Sequence, residues 1–227
     1  KEATLTLMNE QIAKAHEHLK LCHTLVVTLG TAVVYRLKET NLVVANCHKV
    51  PQHNFTRRMA SVDEITEALS AMVDRLHEFN PQLRILFTVS PIRHIADGLE
   101  VNSLSKATLR VAVANVNRVY RDFTAYFPAY EIVMDDLRDY RFYAEDMLHP
   151  SPQAVSYIWE RFSDLYFSSA AQRFLEAWRP IKRALSHRPL HPDSPEYQAF
   201  LAKTLEEAQR LKAEYPDLEL DGDLKTN

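Results

Sequence analysis

Hydrophobic residues recur along this chain with two alternating periods. Over residues 3–21 they return at the spacing of an amphipathic helix, and residues 24–29 (TLVVTL) then form an almost continuous apolar run. Such β-rich runs are typical of strands that are buried on both faces of a parallel sheet. We therefore predict a helix, then a buried strand, then a short β excursion over residues 33–35 and 42–45.

The same alternation continues through the middle of the chain. Ser61 begins a helix, because Glu64 three residues later completes a capping box, and residues 84–89 (RILFTV) form the next buried strand. Residues 104–126 carry a long helical pattern, and residues 130–134 (YEIVM) are the third strand candidate. Alternating strands and helices predict an α/β fold with a parallel sheet, although three strands are few for a sheet covered on both sides.

The strand pattern ends before the last quarter of the chain. Ser151-Pro152 combines an N-cap residue with proline at the first helical position, and helical spacing then continues to residue 167. Residues 174–185 and 197–215 are also helical in pattern, and a proline-rich stretch joins them. We predict an α/β domain over residues 1–168 and a C-terminal helical extension over residues 169–227.

Composition narrows the classes of protein. Among the 227 residues there are three glycines, where an average usage of ~7% would give about sixteen. This argues against glycine-rich phosphate loops, β-propellers and tight-hairpin barrels, and no GxGxxG or Walker pattern is present, so we predict no cofactor. A formal net charge of −3 excludes nucleic-acid affinity driven by bulk charge, so we predict no nucleic acid partner.

The number of cysteines and the length of the apolar runs indicate the cellular compartment of the protein. Cys22 and Cys47 are too few for a disulfide scaffold or a cysteine-based zinc cluster, and they fit a reducing compartment. The longest apolar runs fall far short of the ~20 residues that span a bilayer, and no signal peptide is visible. We predict a cytoplasmic protein without a membrane span. Because residues 3–21 resemble the middle of a helix, we also expect residues to precede Lys1.

Polar and titratable residues concentrate where the predicted strands end. In an open α/β sheet, ligands bind outside the carboxyl ends of the strands. The residues that follow the strands or the β excursion are Gly30, Thr31, Asn46, His48, Ser90, Arg93, His94, Asp146 and His149. We therefore expect these residues to gather at one edge of the sheet.

Asp146 and His149 are the sharpest pair within this set. A histidine that acts as a general base needs an acceptor on its second ring nitrogen, and the Asp-x-x-His spacing in a turn can provide one. The alternative, which spacing alone leaves open, is that Asp146 binds loop backbone and His149 is a surface residue.

Two interpretations also remain open for the other polar residues. In the first interpretation, Arg93 or His94 binds substrate oxygens. In the second, both residues belong to an ordinary turn after Ser90. Cys47 beside His48 fits a metal ligand pair or a cysteine nucleophile. No second ligand set has metal spacing, so we predict no metal site.

Five sequence blocks stand out together: TLGTAVVY at 28–35, VANCHKVP at 44–51, TVSPIRH at 88–94, NSLSKA at 102–107 and DLRDYRFYAEDMLHPSP at 136–152. In these blocks the chain resembles the GSCFA family, which is related to the SGNH/GDSL hydrolases, and the likeness covers residues 20–165. The resemblance implies a flavodoxin-like three-layer α/β/α domain that acts on ester-type bonds. It also implies that Asp146 and His149, in the C-terminal DxxH pattern, are the catalytic acid and base.

The chain departs from the family pattern in two ways. The Gly-Ser-Cys-Phe-Ala segment that carries the nucleophile serine is absent, since no glycine is followed by serine. Ala32 stands where the SGNH pattern has an asparagine that donates to the oxyanion, so Asn46 or His48 is the expected substitute donor. The substrate-binding or oxyanion set is completed by Gly30, Thr31, Ser90, Arg93 and His94. Because no nucleophile is recognisable, we expect weak activity or none from this chain.

Two functions of different class follow from this resemblance. The first is an SGNH-type ester hydrolase or acyltransferase that acts on acylated, carbohydrate-like substrates. The second is a non-catalytic module that retains the cleft and binds a ligand or a protein. Because a buried strand needs hydrogen-bonded neighbours, we also predict that a second chain or a segment before Lys1 completes the sheet.

Overall fold

The structure is a computed structural model that describes residues 2–45, 47, 49–187, 189–190 and 193–216. Its strands are β1 (Thr24–Leu29), β2 (Val33–Leu37), β3 (Val43–Val44), β4 (Phe55–Met59), β5 (Arg84–Val89) and β6 (Thr124–Phe127). Its helices are α1 (Glu2–Leu21), α2 (Val62–Phe79), α3 (Leu99–Val119), α4 (Ala129–Glu131), α5 (Pro152–Tyr166), α6 (Ser169–Leu185) and α7 (Pro195–Glu214). A π-helix over Ile132–Leu137 continues α4.

Three parallel strands in the order β1-β5-β6 form the main sheet. β5 lies in the middle, and its side chains Phe87 and Val89 are completely buried. Val73 of α2 and Val113 of α3 join Phe87 in one hydrophobic cluster, so both helices pack against the sheet. This confirms the predicted α/β class: a parallel sheet flanked by helices, consistent with a three-layer α/β/α arrangement.

The helix α2 begins where the capping box predicts. The Ser61 hydroxyl accepts a hydrogen bond from the Glu64 amide at 3.1 Å, and the Glu64 carboxylate accepts one from the Ser61 amide at 2.8 Å. Arg58 adds a bidentate contact to the same carboxylate. These bonds, led by the one from Arg58, lower the pKa of Glu64 to about 2. The local sequence therefore determines this helix start.

A second, antiparallel sheet in the order β3-β2-β4 follows β1. It confirms the predicted β excursion and adds β4, which the hydrophobic pattern did not indicate. The pattern missed β4 because Phe55 is its one buried residue, whereas Thr56, Arg57 and Arg58 are exposed. Pairing of β4 with β2 brings Arg57 opposite Tyr35.

The predicted third strand over residues 130–134 is wrong. The YEIVM run is helical, and the third parallel strand is β6, which overlaps the end of the predicted helix over residues 104–126. A short apolar run does not distinguish strand from helix by periodicity alone. Tertiary contacts favour the helix, because the Glu131 carboxylate pairs with Arg110 of α3 and accepts a hydrogen bond from the Tyr126 hydroxyl at 2.7 Å.

The composition of β1 predicts a central strand that is buried on both faces, but β1 lies at an edge of the sheet. Within the described residues it pairs with β5 alone, and Val26 is 46% exposed. An open strand edge presents backbone groups with which another strand can pair. The predicted completion of the sheet by a second chain or by a segment before Lys1 stays a prediction.

The chain divides into two compact units, Lys1–Ile158 and Trp159–Asn227. This division falls inside α5, and the predicted domain boundary at residue 168 stays a prediction. In the second unit, α6 and α7 share a hydrophobic cluster that includes Trp178 and Leu211, so this part is helical as predicted. No helix in the described ranges is both long and apolar enough to cross a membrane.

Candidate active site

Asp146 and His149 lie in a closed turn over residues 144–149, named here the DxxH turn. The Met147 amide donates to the Ala144 carbonyl at 2.9 Å, and the Ala144 amide donates to the His149 carbonyl at 2.8 Å. Met147 adopts a left-handed conformation with a φ of 59°, which is uncommon for a residue other than glycine. This backbone brings the side chains of Asp146 and His149 to the same side of the turn.

These two side chains are in direct contact. Oδ2 of Asp146 lies 2.6 Å from Nδ1 of His149, which confirms the predicted contact. The other oxygen, Oδ1, accepts the backbone amides of Leu148 and His149 at 2.9 and 3.0 Å. The donors to this carboxylate, the His149 amide first, lower the pKa of Asp146 to about 2. Asp146 is therefore ionised at neutral pH.

The contact with Asp146 determines the tautomer of neutral His149. An ionised carboxylate only accepts hydrogen bonds, so Nδ1 carries the hydrogen and Nε2 keeps its lone pair. The His149 side chain is 57% exposed. Among the described residues, no serine, threonine or cysteine hydrogen-bonds to its ring. Nε2 is therefore accessible to a proton donor, as a general base requires.

The substitution Asp146→Asn is expected to make the free energy of unfolding less dependent on pH in acid. The folded pKa of about 2 lies below the ~3.9 of an unfolded aspartate. The ionised carboxylate therefore stabilises the fold above about pH 4, and this contribution is lost as the pH falls towards 2. Melting temperatures of wild type should fall more steeply over this range than those of the variant.

The matched control for this pH series is Asp122→Asn. The Asp122 carboxyl is exposed and makes no hydrogen bond within the described residues. Its variant should therefore follow the wild-type melting curve. Equal slopes for wild type and Asp146→Asn would contradict the prediction.

Arg93 connects the loop after β5 to the DxxH turn. Its amide donates to the Leu148 carbonyl and its Nη1 donates to the Met147 carbonyl, both at 3.2 Å. The guanidinium also stacks on Tyr143, 3.9 Å from the ring centroid. The observed contacts of Arg93 therefore hold the turn, and its predicted binding of substrate oxygens stays a prediction.

The substitution Arg93→Ala is expected to lower the free energy of unfolding by about 1–2 kcal/mol, because it removes a hydrogen bond and a cation–π contact. Arg93→Lys should recover little of this, since an ammonium group has no plane to stack on Tyr143. Urea denaturation measures both values. Arg121→Ala is the control, because Arg121 is exposed and makes no contact with a described charge. A similar loss in the Arg121 and Arg93 variants would contradict the prediction.

A buried lysine joins the carboxyl ends of β1 and β5. Nζ of Lys106, in α3, donates to the carbonyls of Gly30 and Ser90, both at 2.6 Å. Lys106 is 1% exposed, and this burial lowers the pKa of its amine to about 8. The amine is still mainly protonated at neutral pH. Lys106 thus brings two of the predicted site residues together.

The imidazole of His94 lies beside Gly30. A side-chain carbon built on Gly30 would come within 3.4 Å of Nε2 of His94. Partial burial lowers the pKa of His94, and the positive charge of Lys106 lowers it further, as does His149 when it is protonated, which favours the neutral His94 ring. His94 therefore lies beside Gly30 at the carboxyl end of the sheet, and it is close enough to the DxxH turn for the charge of His149 to affect its pKa.

Thr31 and His94 line a small, partly open pocket with a volume of about 100 Å³. The Thr31 hydroxyl lies 3.0 Å from the hydroxyl of Ser105. Other residues that line the pocket are Tyr35, Arg57, Asp97 and Asn102. Because Arg57 forms an ion pair with Asp97, the pocket presents hydroxyl, amide, imidazole and aromatic groups rather than an isolated charge.

The last predicted positions are the expected substitute oxyanion donors and the cysteine between them. Asn46 and His48, the expected substitute oxyanion donors, lie outside the described residues. Cys47 between them is a free thiol. Nowhere in the described ranges do three or more His, Cys, Asp or Glu side chains form a group that could hold a metal ion.

Lys106 is the site neighbour that the sequence analysis missed. It stands on the apolar stripe of α3, at helical spacing from the buried residues Leu109, Val113 and Val116. A lysine on a core-facing stripe must find acceptors for its ammonium group, because an unpaired buried charge is costly. The position of Lys106 on the apolar stripe therefore indicated a buried ammonium group. The sequence could not predict that the carbonyls of Gly30 and Ser90 are its acceptors.

Comparison with family models identifies two regions of the chain. Residues 1–162 match the GSCFA family, and residues 178–226 match the family described as GSCFA domain protein, C-terminal domain. No curated protein and no solved structure matches the chain. The first match includes Gly30, Lys106 and the whole DxxH turn and covers more than half of the chain. The chain therefore belongs to the GSCFA family.

Proposed function

We propose that this chain supplies the acid–base pair of an SGNH-type ester hydrolase or acyltransferase that acts on acylated carbohydrates. The observation that carries the proposal is the 2.6 Å contact between Asp146 and His149, which leaves Nε2 of His149 accessible. A carboxylate-held imidazole is the arrangement that hydrolases with a catalytic triad use. Gly30, Thr31 and His94 are the proposed substrate-binding residues at the same edge of the sheet.

In the proposed reaction, a hydroxyl oxygen attacks the carbonyl carbon of the ester while its proton passes to Nε2 of His149. The carbonyl oxygen takes the negative charge of the tetrahedral intermediate, and Asp146 stabilises the imidazolium. The intermediate then breaks its bond to the leaving alkoxide, which receives the proton from His149. Transfer of the acyl group to water completes hydrolysis, and transfer to another alcohol completes acyl transfer.

A binding module is the second candidate, because the nucleophile has no visible counterpart. Within the described residues no hydroxyl or thiol hydrogen-bonds to His149, and Ala32 stands where the asparagine donor is expected. A polar pocket with an aromatic wall, such as the one that Thr31 and Tyr35 line, can bind a sugar without converting it.

Ester hydrolysis separates the two candidates. The protein expressed from its natural reading frame is assayed on p-nitrophenyl acetate and on acetylated sugars, next to the 227-residue chain. We expect turnover by the natural protein and weak or no turnover by the 227-residue chain. Calorimetric titration with the same sugars measures binding. Binding without turnover by either protein would favour the binding module over the hydrolase.

A further inference from the structure

The segment after β1 contains two consecutive backbone amides, those of Gly30 and Thr31, that have no acceptor among the described residues. The next two amides are satisfied. The Ala32 amide donates to the Ser105 hydroxyl at 2.7 Å, and the Val33 amide donates to the Thr31 hydroxyl at 3.1 Å. Backbone donors in folded proteins are almost always paired with protein, water or ligand. The two open amides therefore mark a place where the cleft can bind an acceptor.

Lys106 determines the direction of one of these amides. Its Nζ holds the Gly30 carbonyl at 2.6 Å on the buried side of the segment. The described chain contains no cis peptide bond, and in a planar trans peptide the N–H points opposite to the carbonyl. The Thr31 N–H is therefore directed away from Lys106. Thr31 itself lines the pocket that His94 also lines.

The second carbonyl that Lys106 holds gives an internal comparison. Nζ also donates to Ser90 at 2.6 Å, but the next residue is Pro91, which has no N–H. Of the two peptides whose carbonyls Lys106 holds, only the one between Gly30 and Thr31 therefore has an N–H whose direction this contact determines. A cation on the Gly30 carbonyl also polarises the peptide, which strengthens the Thr31 N–H as a donor.

We infer that Lys106 is a positioning residue that directs the Thr31 amide at the carbonyl oxygen of the substrate ester. The inference rests on the proposed function, in which that oxygen gains a negative charge when the nucleophile adds to the carbonyl carbon. An N–H that is oriented before the reaction stabilises such an oxyanion, and it substitutes for the asparagine donor absent at Ala32. Lys106 acts through this peptide and does not touch substrate, because it is 1% exposed.

The variant Lys106→Met tests this inference in the protein expressed from its natural reading frame. Methionine has a similar length but no donor, so the Thr31 amide loses its fixed direction. We expect kcat for p-nitrophenyl acetate to fall on the order of 10²-fold with little change in KM. Wild-type kcat in Lys106→Met, together with loss of activity in His149→Ala, would overturn the role of Lys106 alone.

The matched control for Lys106→Met is Val113→Ala in the same helix. Val113 is completely buried in the core cluster that contains Phe87, and its side chain has no group that could donate to the Gly30 or Ser90 carbonyl. Its variant is expected to lose stability and to keep the wild-type kcat at a temperature where it is folded. An equal loss of kcat in both variants would assign the effect to stability and overturn the inference.

Amide NMR tests the geometry without turnover, and it applies even where Lys106→Met does not fold. In wild type, hydrogen exchange should be fast at Thr31 and slow at Ala32, because Ser105 holds the Ala32 amide. In folded Lys106→Met, the Thr31 amide shifts should move further than in Val113→Ala. A protected Thr31 amide in wild type would overturn the inference. Absence of ester hydrolysis by the natural protein would instead overturn the proposed function.

Discussion

His149→Ala is expected to lower kcat/KM for ester hydrolysis by about 10²- to 10⁴-fold in the protein expressed from its natural reading frame. The variant removes the imidazole that the Asp146 carboxylate holds, and with it the group that accepts and returns the proton. Steady-state kinetics on p-nitrophenyl acetate measure the change. His18→Ala, on an exposed face of α1, is the control and should match wild type.

The variant Asp146→Asn tests whether Asp146 and His149 act as one catalytic unit, as the proposed mechanism requires. Its own loss should be large, since a carboxamide neither holds the required tautomer of His149 nor stabilises the imidazolium. The double variant should be no slower than His149→Ala alone, because effects within such a unit are not additive. Losses that multiply in the double variant would show that Asp146 and His149 act independently, which contradicts the proposed mechanism.

Phe87→Ala is expected to lower the free energy of unfolding by about 3–5 kcal/mol, the usual cost of removing a large aromatic side chain from a core. Phe87 is completely buried at the centre of β5 and packs in the cluster with Val73 and Val113. Typical domains are stable by about 5–15 kcal/mol, so this single change removes a large share of the total. Urea denaturation followed by circular dichroism measures it.

Two further variants calibrate the Phe87 result. Phe87→Leu keeps most of the apolar volume and should cost clearly less than Phe87→Ala. Val119→Ala removes an apolar side chain that is 69% exposed and should change the free energy of unfolding little. A Phe87→Ala protein as stable as Val119→Ala would contradict the assignment of β5 as the central buried strand.

Features that depend on a few neighbouring residues were predictable. The capping box at Ser61 joins groups three residues apart, and so does the contact between Asp146 and His149. In each case the short connecting backbone restricts the possible partners, so spacing and residue type are enough to indicate the contact. The same holds for the buried run of β5, whose composition and flanking turn residues indicate a strand.

Assignments that depend on distant partners were not predictable in the same way. The YEIVM run has an apolar pattern that fits either a strand or a helix, and contacts of Glu131 with Arg110 and Tyr126 favour the helix. β1 has the composition of a central strand, yet it lies at an edge because only β5 pairs with it in the described ranges. Neither outcome is encoded within the segment itself.

The α/β class, the helix start at Ser61 and the Asp146–His149 pair could be predicted from the amino-acid order, because short-range hydrogen bonds and hydrophobic periodicity act within a few residues. The surroundings of that pair were decided only by tertiary structure. Lys106 reaches the Gly30 carbonyl across 76 positions, and Arg93 reaches Met147 across 54. Such contacts form only when the sheet brings the strand ends together, since burial and not spacing selects the acceptors of a charged side chain.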